Sequence, residues 1–122
     1  MPELSIFRQR IAIGATVEGP FRELDAVVDT GSLYTWVPGH VLWELGVVPT
    51  ETRRFILANG ERIDTQIAWV TVRVDGQVAP TICVFGDEGT APLLGVFTLE
   101  GFALAADPVN HRLVPMESLP LL

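Results

Sequence analysis

The stretch Ala26-Val27-Val28-Asp29-Thr30-Gly31-Ser32 constrains this chain more than any other. Small and β-branched apolar residues end abruptly in a carboxylate, a hydroxyl and a glycine. Val27 and Val28 read as a strand buried on both faces, because no polar residue interrupts the run before the acid. Thr30 and Gly31 then force a tight turn, where glycine lets the backbone come close to another chain or a ligand. An acid at the end of a buried strand is costly unless something hydrogen-bonds it or uses it. Its ordinary role is to start a turn by bonding its own downstream backbone. The alternative is a chemical role, and the rest of the chain decides between them.

The 122 residues suit a single domain over 1–122, and close to half are apolar, with Gly and Pro scattered and not gathered in a linker. That composition fits a compact β-rich domain with many turns. The net charge is −7 and the chain has no Lys, so phosphate backbones and anionic membranes are poor partners. The one basic pair, Arg53-Arg54, is too short for a nucleic-acid patch. The lone Cys83 excludes an intramolecular disulfide and reads as a small buried hydrophobe in Thr81-Ile82-Cys83-Val84-Phe85. Met1-Pro2-Glu3-Leu4 has no secretory n-region, and no apolar run approaches the ~20 residues of a membrane span. A soluble cytoplasmic protein is the expectation.

Ile6 to Val17 reads as a first strand, Glu18-Gly19-Pro20 as a turn, and Phe21 to Asp29 as the returning strand of a hairpin that carries Asp29 to its far end. A loop holding Trp36-Val37-Pro38 follows, with Pro38 suited to a first helical position. His40 to Leu45 is a short helix with Gly46 as its cap, and Trp36 and Trp43 read as packing residues. Arg53–Ala58 and Glu61–Val74 are strands around Asn59-Gly60, whose pairing predicts a type I′ turn with φ > 0 at both residues. Asp75-Gly76 turns the chain into a strand over Gln77–Phe85. Beyond a loop over Gly86–Pro92 lies Leu93-Leu94-Gly95, then a helical turn at Thr98–Glu100 closed by Gly101. Phe102–Ala106 and His111–Val114 form a last strand pair around the Asp107–Asn110 turn, before a loosely held tail from Pro115. About eight short strands with one or two short helices make an all-β domain, a small closed or nearly closed barrel.

Val28-Asp29-Thr30-Gly31-Ser32, the Asn59-Gly60 hairpin, Leu93-Leu94-Gly95 and the short helix after it occur in an order that resembles the retropepsin-like aspartic proteases. The resemblance spans roughly residues 8–115. It implies the acid-protease fold and an aspartic endopeptidase in which Asp29, Thr30 and Gly31 form the catalytic turn. Such enzymes use two carboxylates sharing one proton, because like charges about 3 Å apart cannot both ionise. The other five Asp residues (25, 64, 75, 87 and 107) have no following Thr-Gly or Ser-Gly, so the resemblance implies a homodimer with Asp29 at the two-fold axis. Thr30 would bond across that axis. Ser32 would place a hydroxyl near Asp29, stabilising its ionised form and giving an acidic optimum.

The Ala58-Asn59-Gly60 hairpin corresponds to a flap closing over an extended peptide, which Ser32, Leu33 and Tyr34 also contact. It carries one glycine and a charge, Glu61, where family tips are glycine-rich. Leu93, Leu94 and Gly95 correspond to the segment threaded beside the catalytic loop, but Val96 stands where retroviral enzymes carry an interface Arg. The interface must therefore be secured otherwise, with the Phe102–Val114 hairpin as candidate. Leu33, Tyr34 and Ile56 favour a substrate apolar around the cleaved bond. No cofactor and no metal is implied, since His40 and His111 with scattered acids make no ligand spacing and nothing supports Cys83 as a nucleophile. The alternative reading is a non-catalytic dimerisation or peptide-binding module on the same fold.

Overall fold

A computed structural model describes residues 7–116; the expectations made for residues 1–6 and 117–122 lie outside them. The chain runs β1 (Phe7–Gly14), β2 (Phe21–Val28), β3 (Thr35–Pro38), α1 (Gly39–Glu44), β4 (Glu51–Ile56), β5 (Arg62–Val74), β6 (Gln77–Gly86), β7 (Leu93–Leu94), α2 (Val96–Gly101), β8 (Leu104–Asp107) and β9 (Arg112–Pro115). Seven strands form one sheet in the order β1-β2-β7-β3-β6-β5-β4. A further pairing of β1 with β5 closes a ring of six strands, from which β4 projects as the outer partner of β5. The fold is all-β with two short helices, as the turn-rich composition predicts.

The interior of the ring is aliphatic. Ile11, Ile13, Val28, Val37, Val70, Val72 and Leu94 are almost wholly withdrawn from solvent. Each such side chain contributes about 1.5–3 kcal/mol by leaving water. The hairpin β1–β2 supplies its share by alternation, so Ala26 and Val28 face inward while Val27 is only half-buried. Thus β2 has one buried face and not two.

Several boundaries move for local reasons. β1 stops at Gly14 because Thr16 accepts the Gly19 N–H at 2.9 Å and turns the chain early. The expected loop at Trp36-Val37-Pro38 is β3, a strand paired in parallel with β6 and held also by Leu93 of β7. Pro38 ends that strand and precedes the first helical residue. α1 closes as a Schellman motif: Gly46 (φ 83°) donates to Trp43 O at 3.0 Å and Val47 to Leu42 O at 3.0 Å. β8 starts two residues later than expected because the Phe102 and Ala103 N–H groups still close the end of α2. Among the described residues, no helix is long and apolar enough to cross a membrane.

Candidate active site

Asp29 stands one residue beyond β2, and three elements fix its backbone. β2 pairs in parallel with β7, Val27 with Leu93 and Val28 with Leu94, and the Asp29 N–H donates to Leu94 O at 3.1 Å. The chain then turns, with the Ser32 N–H on Asp29 O at 3.1 Å. The Asp29 carboxylate accepts the Gly31 N–H at 2.8 Å through Oδ1. A Cβ on Gly31 would lie 3.2 Å from that oxygen, so glycine keeps the turn tight against the acid.

The segment after β7 locks the turn from behind. Val96 donates to Ser32 O at 2.9 Å and Phe97 to Leu33 O at 2.8 Å. Gly95 wedges against Tyr34, where a Cβ would sit 2.4 Å from the Tyr34 carbonyl oxygen. Its own N–H donates to Thr35 Oγ1 at 3.1 Å. Thr35, Thr98 and Thr81 form a buried chain of hydroxyls, 2.6 Å from Thr35 to Thr98 and 2.8 Å from Thr98 to Thr81. This network ties α2 and β6 to the start of β3, just after the Asp29 turn, with every hydroxyl bonded, which buried polar groups require.

Asp29 opens into a cleft of about 600 Å³. Gly31, Ser32, Leu33 and Tyr34 line one side with it, and Phe55–Ala58 and Ile63 come from the β4–β5 hairpin. Trp36, Leu93 and the loop residues Asp87, Thr90 and Ala91 complete the wall. Of the residues read from sequence, Thr30 is exposed and outside this lining, as are Asn59 and Gly60 at the hairpin tip. Leu94 and Gly95 are buried behind the turn.

Three expectations change. The Ser32 hydroxyl donates to Tyr34 O at 3.0 Å and not to Asp29, so the acidic optimum argued from it loses its basis. Asn59 does not adopt positive φ; Gly60 alone does, at 88°. Gly60 N–H bonds Leu57 O at 2.8 Å and Leu57 N–H bonds Glu61 O at 2.7 Å, which makes a three-residue loop with glycine at the left-handed position. The Asn59 side chain explains the change, because its Oδ1 accepts the Glu61 N–H at 2.8 Å and bridges the turn. The third is extended and not overturned: Trp36 packs as read, at 5.3 Å on Phe55, and lines the cleft as well.

Tyr34 joins this wall to the hairpin. Arg53 Nη1 donates to its hydroxyl at 3.0 Å, and its ring stands edge-on to Phe55 at 6.0 Å. Phe55, Leu57, Ile63, Trp36, Asp87, Thr90 and Ala91 were not read as site residues from the sequence. Alternation along β4 and β5 was the available signal for the first and third; nothing local marked the others. Cys83 is fully buried, and burial pushes its thiol pKa up, which leaves it no nucleophilic thiolate.

No protein-family model matches the chain, and no curated protein is recovered as a relative. Among solved structures, the chain is similar to the protease of simian foamy virus (mac), determined in solution. The TM-score is 0.58 and the identity 18%, over 77% of this chain and 92% of that one. It is also similar, at TM-score 0.58 and 12% identity, to a foamy viral protease–reverse transcriptase solved with an RNA/DNA hybrid. That match covers 95% of this chain but 13% of the viral one. The all-β fold built around the Asp29 turn is therefore that of retropepsin-like proteases.

Proposed function

We propose that the chain is one half of a homodimeric aspartic endopeptidase. The observation that carries this reading is the Asp29 turn itself: a carboxylate bonded by the Gly31 N–H, backed by β7, and facing a peptide-sized cleft. The similarity to foamy viral protease folds supports it.

One chain carries a single Asp-Thr-Gly, and a water-activating dyad needs two carboxyl groups sharing a proton. A second copy supplies the other Asp29. The ionised carboxylate takes a proton from water as the water oxygen attacks the scissile carbonyl carbon. The protonated carboxyl gives its proton to the carbonyl oxygen, so a neutral gem-diol forms without a covalent enzyme intermediate. Collapse of the diol breaks the C–N bond while a proton passes to the leaving nitrogen.

Thr30, exposed at the tip of the turn, is placed to bond across the two-fold axis in that dimer. The β8–β9 hairpin forms a sheet of its own, separate from the ring, and offers its edges to a second copy where the interface Arg is replaced by Val96. The β4–β5 hairpin acts as the flap and presents Ile56, 68% exposed, to an extended apolar peptide.

Asp29→Asn tests the reading. It should abolish cleavage of a diverse peptide mixture at pH 4–7 while sedimentation still shows the dimer. Cleavage that survives the substitution overturns the assignment. A wild-type chain that binds peptides without cutting any of them supports the non-catalytic peptide-binding module instead.

A further inference from the structure

We propose that Asp87 forms a subsite for a cationic side chain of the bound peptide, arginine above all; the proposal rests on the peptide-cleft reading above. Among the described residues, Asp29 and Asp87 are the only charged ones lining the cleft, and both are acids. Asp29 is the acid assigned above to the reaction, with one oxygen on the Gly31 N–H. Asp87 belongs to the loop between β6 and β7, which contributes Thr90 and Ala91 to the lining as well.

The loop separates two neighbouring acids by function. Glu88 is occupied: it accepts the His40 backbone N–H at 3.0 Å through Oε2 and pairs with the His40 ring through Oε1. The Asp87 carboxylate has no ion pair or hydrogen bond among the described residues. Only the Asp87 main chain is engaged, its carbonyl accepting Thr90 Oγ1 at 2.6 Å and Thr90 N–H at 3.4 Å. The backbone under the acid is thus held while its side chain stays available to a ligand.

The rest of the lining selects the ligand. Trp36 and Phe55 bring aromatic rings to the lining, on which a planar guanidinium can stack while its fork meets a carboxylate; the Tyr34 ring already carries the Arg53 guanidinium at 5.7 Å. Among the described residues, no basic one lines the cleft to neutralise the acid. Arg53 is near but spent on Glu51 and on the Tyr34 hydroxyl. An acidic side chain on the peptide would face Asp87 and Asp29 together, and the net charge of −7 works against its approach. A cleaved peptide is therefore apolar around the scissile bond with an arginine or lysine at one flanking position.

A peptide library randomised around the scissile bond, digested by the wild-type chain, should enrich Arg and then Lys at one position. Replacing that Arg by citrulline, its neutral isostere, should lower kcat/KM by about tenfold. Asp87→Asn should reduce this Arg-to-citrulline ratio to near one, and Asp87→Arg should turn the preference towards Asp and Glu. A wild-type enzyme that cuts both peptides equally, or an unchanged ratio in Asp87→Asn, overturns the subsite while leaving the peptidase reading intact. A second readout needs no catalysis: the Asp29→Asn chain should bind a fluorescent Arg peptide about tenfold more tightly than its citrulline twin, and Asp29→Asn with Asp87→Asn should not. That binding preference without any wild-type cleavage supports the subsite and sinks the peptidase; equal binding of the twins sinks the subsite.

Discussion

A side chain added at Gly95 would meet the Tyr34 carbonyl oxygen at 2.4 Å, whereas one added at Gly60 would meet nothing within 4 Å. Gly95 has extended backbone, φ −97° and ψ 174°, which any residue adopts; only space demands glycine there. Gly60 has φ 88° in open surroundings; only conformation demands it. The two glycines mark two regions built to different rules. Behind Asp29 the chain is crossed by β7, α2 and three buried threonine hydroxyls. The β4–β5 hairpin is held by its own ladder, by the Arg53–Tyr34 bond, by Phe55 against Tyr34 and Trp36, and by the Thr65 hydroxyl on Phe85 O, with Ile56 largely in water. The part that holds the acid is over-determined, and the β4–β5 hairpin is tied down by fewer contacts.

The comparison breaks first at Gly95. Gly95→Ala should cost about 3 kcal/mol or more, because the obstacle is backbone that cannot step aside; a change within 1 kcal/mol in urea denaturation would show the wedge to be loose. Thr98→Val removes the central hydroxyl, strands Thr81 and leaves Thr35 only the Gly95 N–H. A loss of about 2 kcal/mol is expected, with Thr98→Ser recovering most of it. The hairpin should respond on a smaller and local scale. Gly60→Ala carries about 1 kcal/mol of left-handed strain. Amide exchange at Leu57 and Gly60 should quicken while exchange at Asp29 stays unchanged; equal acceleration at Asp29 would mean that the two regions open as one.

The smallest effect is a pH dependence confined to the hairpin. Arg54 and Asp64 face each other across β4 and β5, with Nε to Oδ1 at 2.9 Å. The Arg54 hydrogen bond, aided by its charge, holds the Asp64 carboxyl below the usual carboxylate range. A depressed folded pKa contributes stability above the unfolded value near 4 and loses it as the pH falls through the folded value. Both groups are exposed, so the contribution is minor. Exchange at the hairpin amides should rise on acidification below about pH 4 beyond the rise in Arg54→Ala; parallel profiles would remove the pair from the account.

What could be read from the sequence follows the same division. The β1–β2 hairpin, the α1 cap at Gly46 and the turn at Asp75-Gly76 are local, and each is marked by alternation or by a glycine. β3 is not local. It is four residues long, ends in Pro38, and exists because β6 and β7 pair with it from far along the chain. Trp36 lines the cleft for that reason, and neither its type nor its neighbours announce it. Leu93-Leu94-Gly95 is visible as a motif, but the need for glycine there lies in the Tyr34 carbonyl. Ser32 reads from the sequence as a partner of Asp29 because it follows in the same turn, but the fold brings the Tyr34 carbonyl to its hydroxyl. Asp87 carries no motif at all; only the fold brings it to the cleft.

Mixing wild-type chains with Asp29→Asn chains at constant total concentration tests the central claim most directly. If Asp29 works only beside its copy, an equal mixture of freely exchanging chains retains about one-quarter of the wild-type rate, since only wild-type pairs are complete. About one-half, falling in proportion to the wild-type fraction, would mean that each chain acts alone and would contradict the shared site.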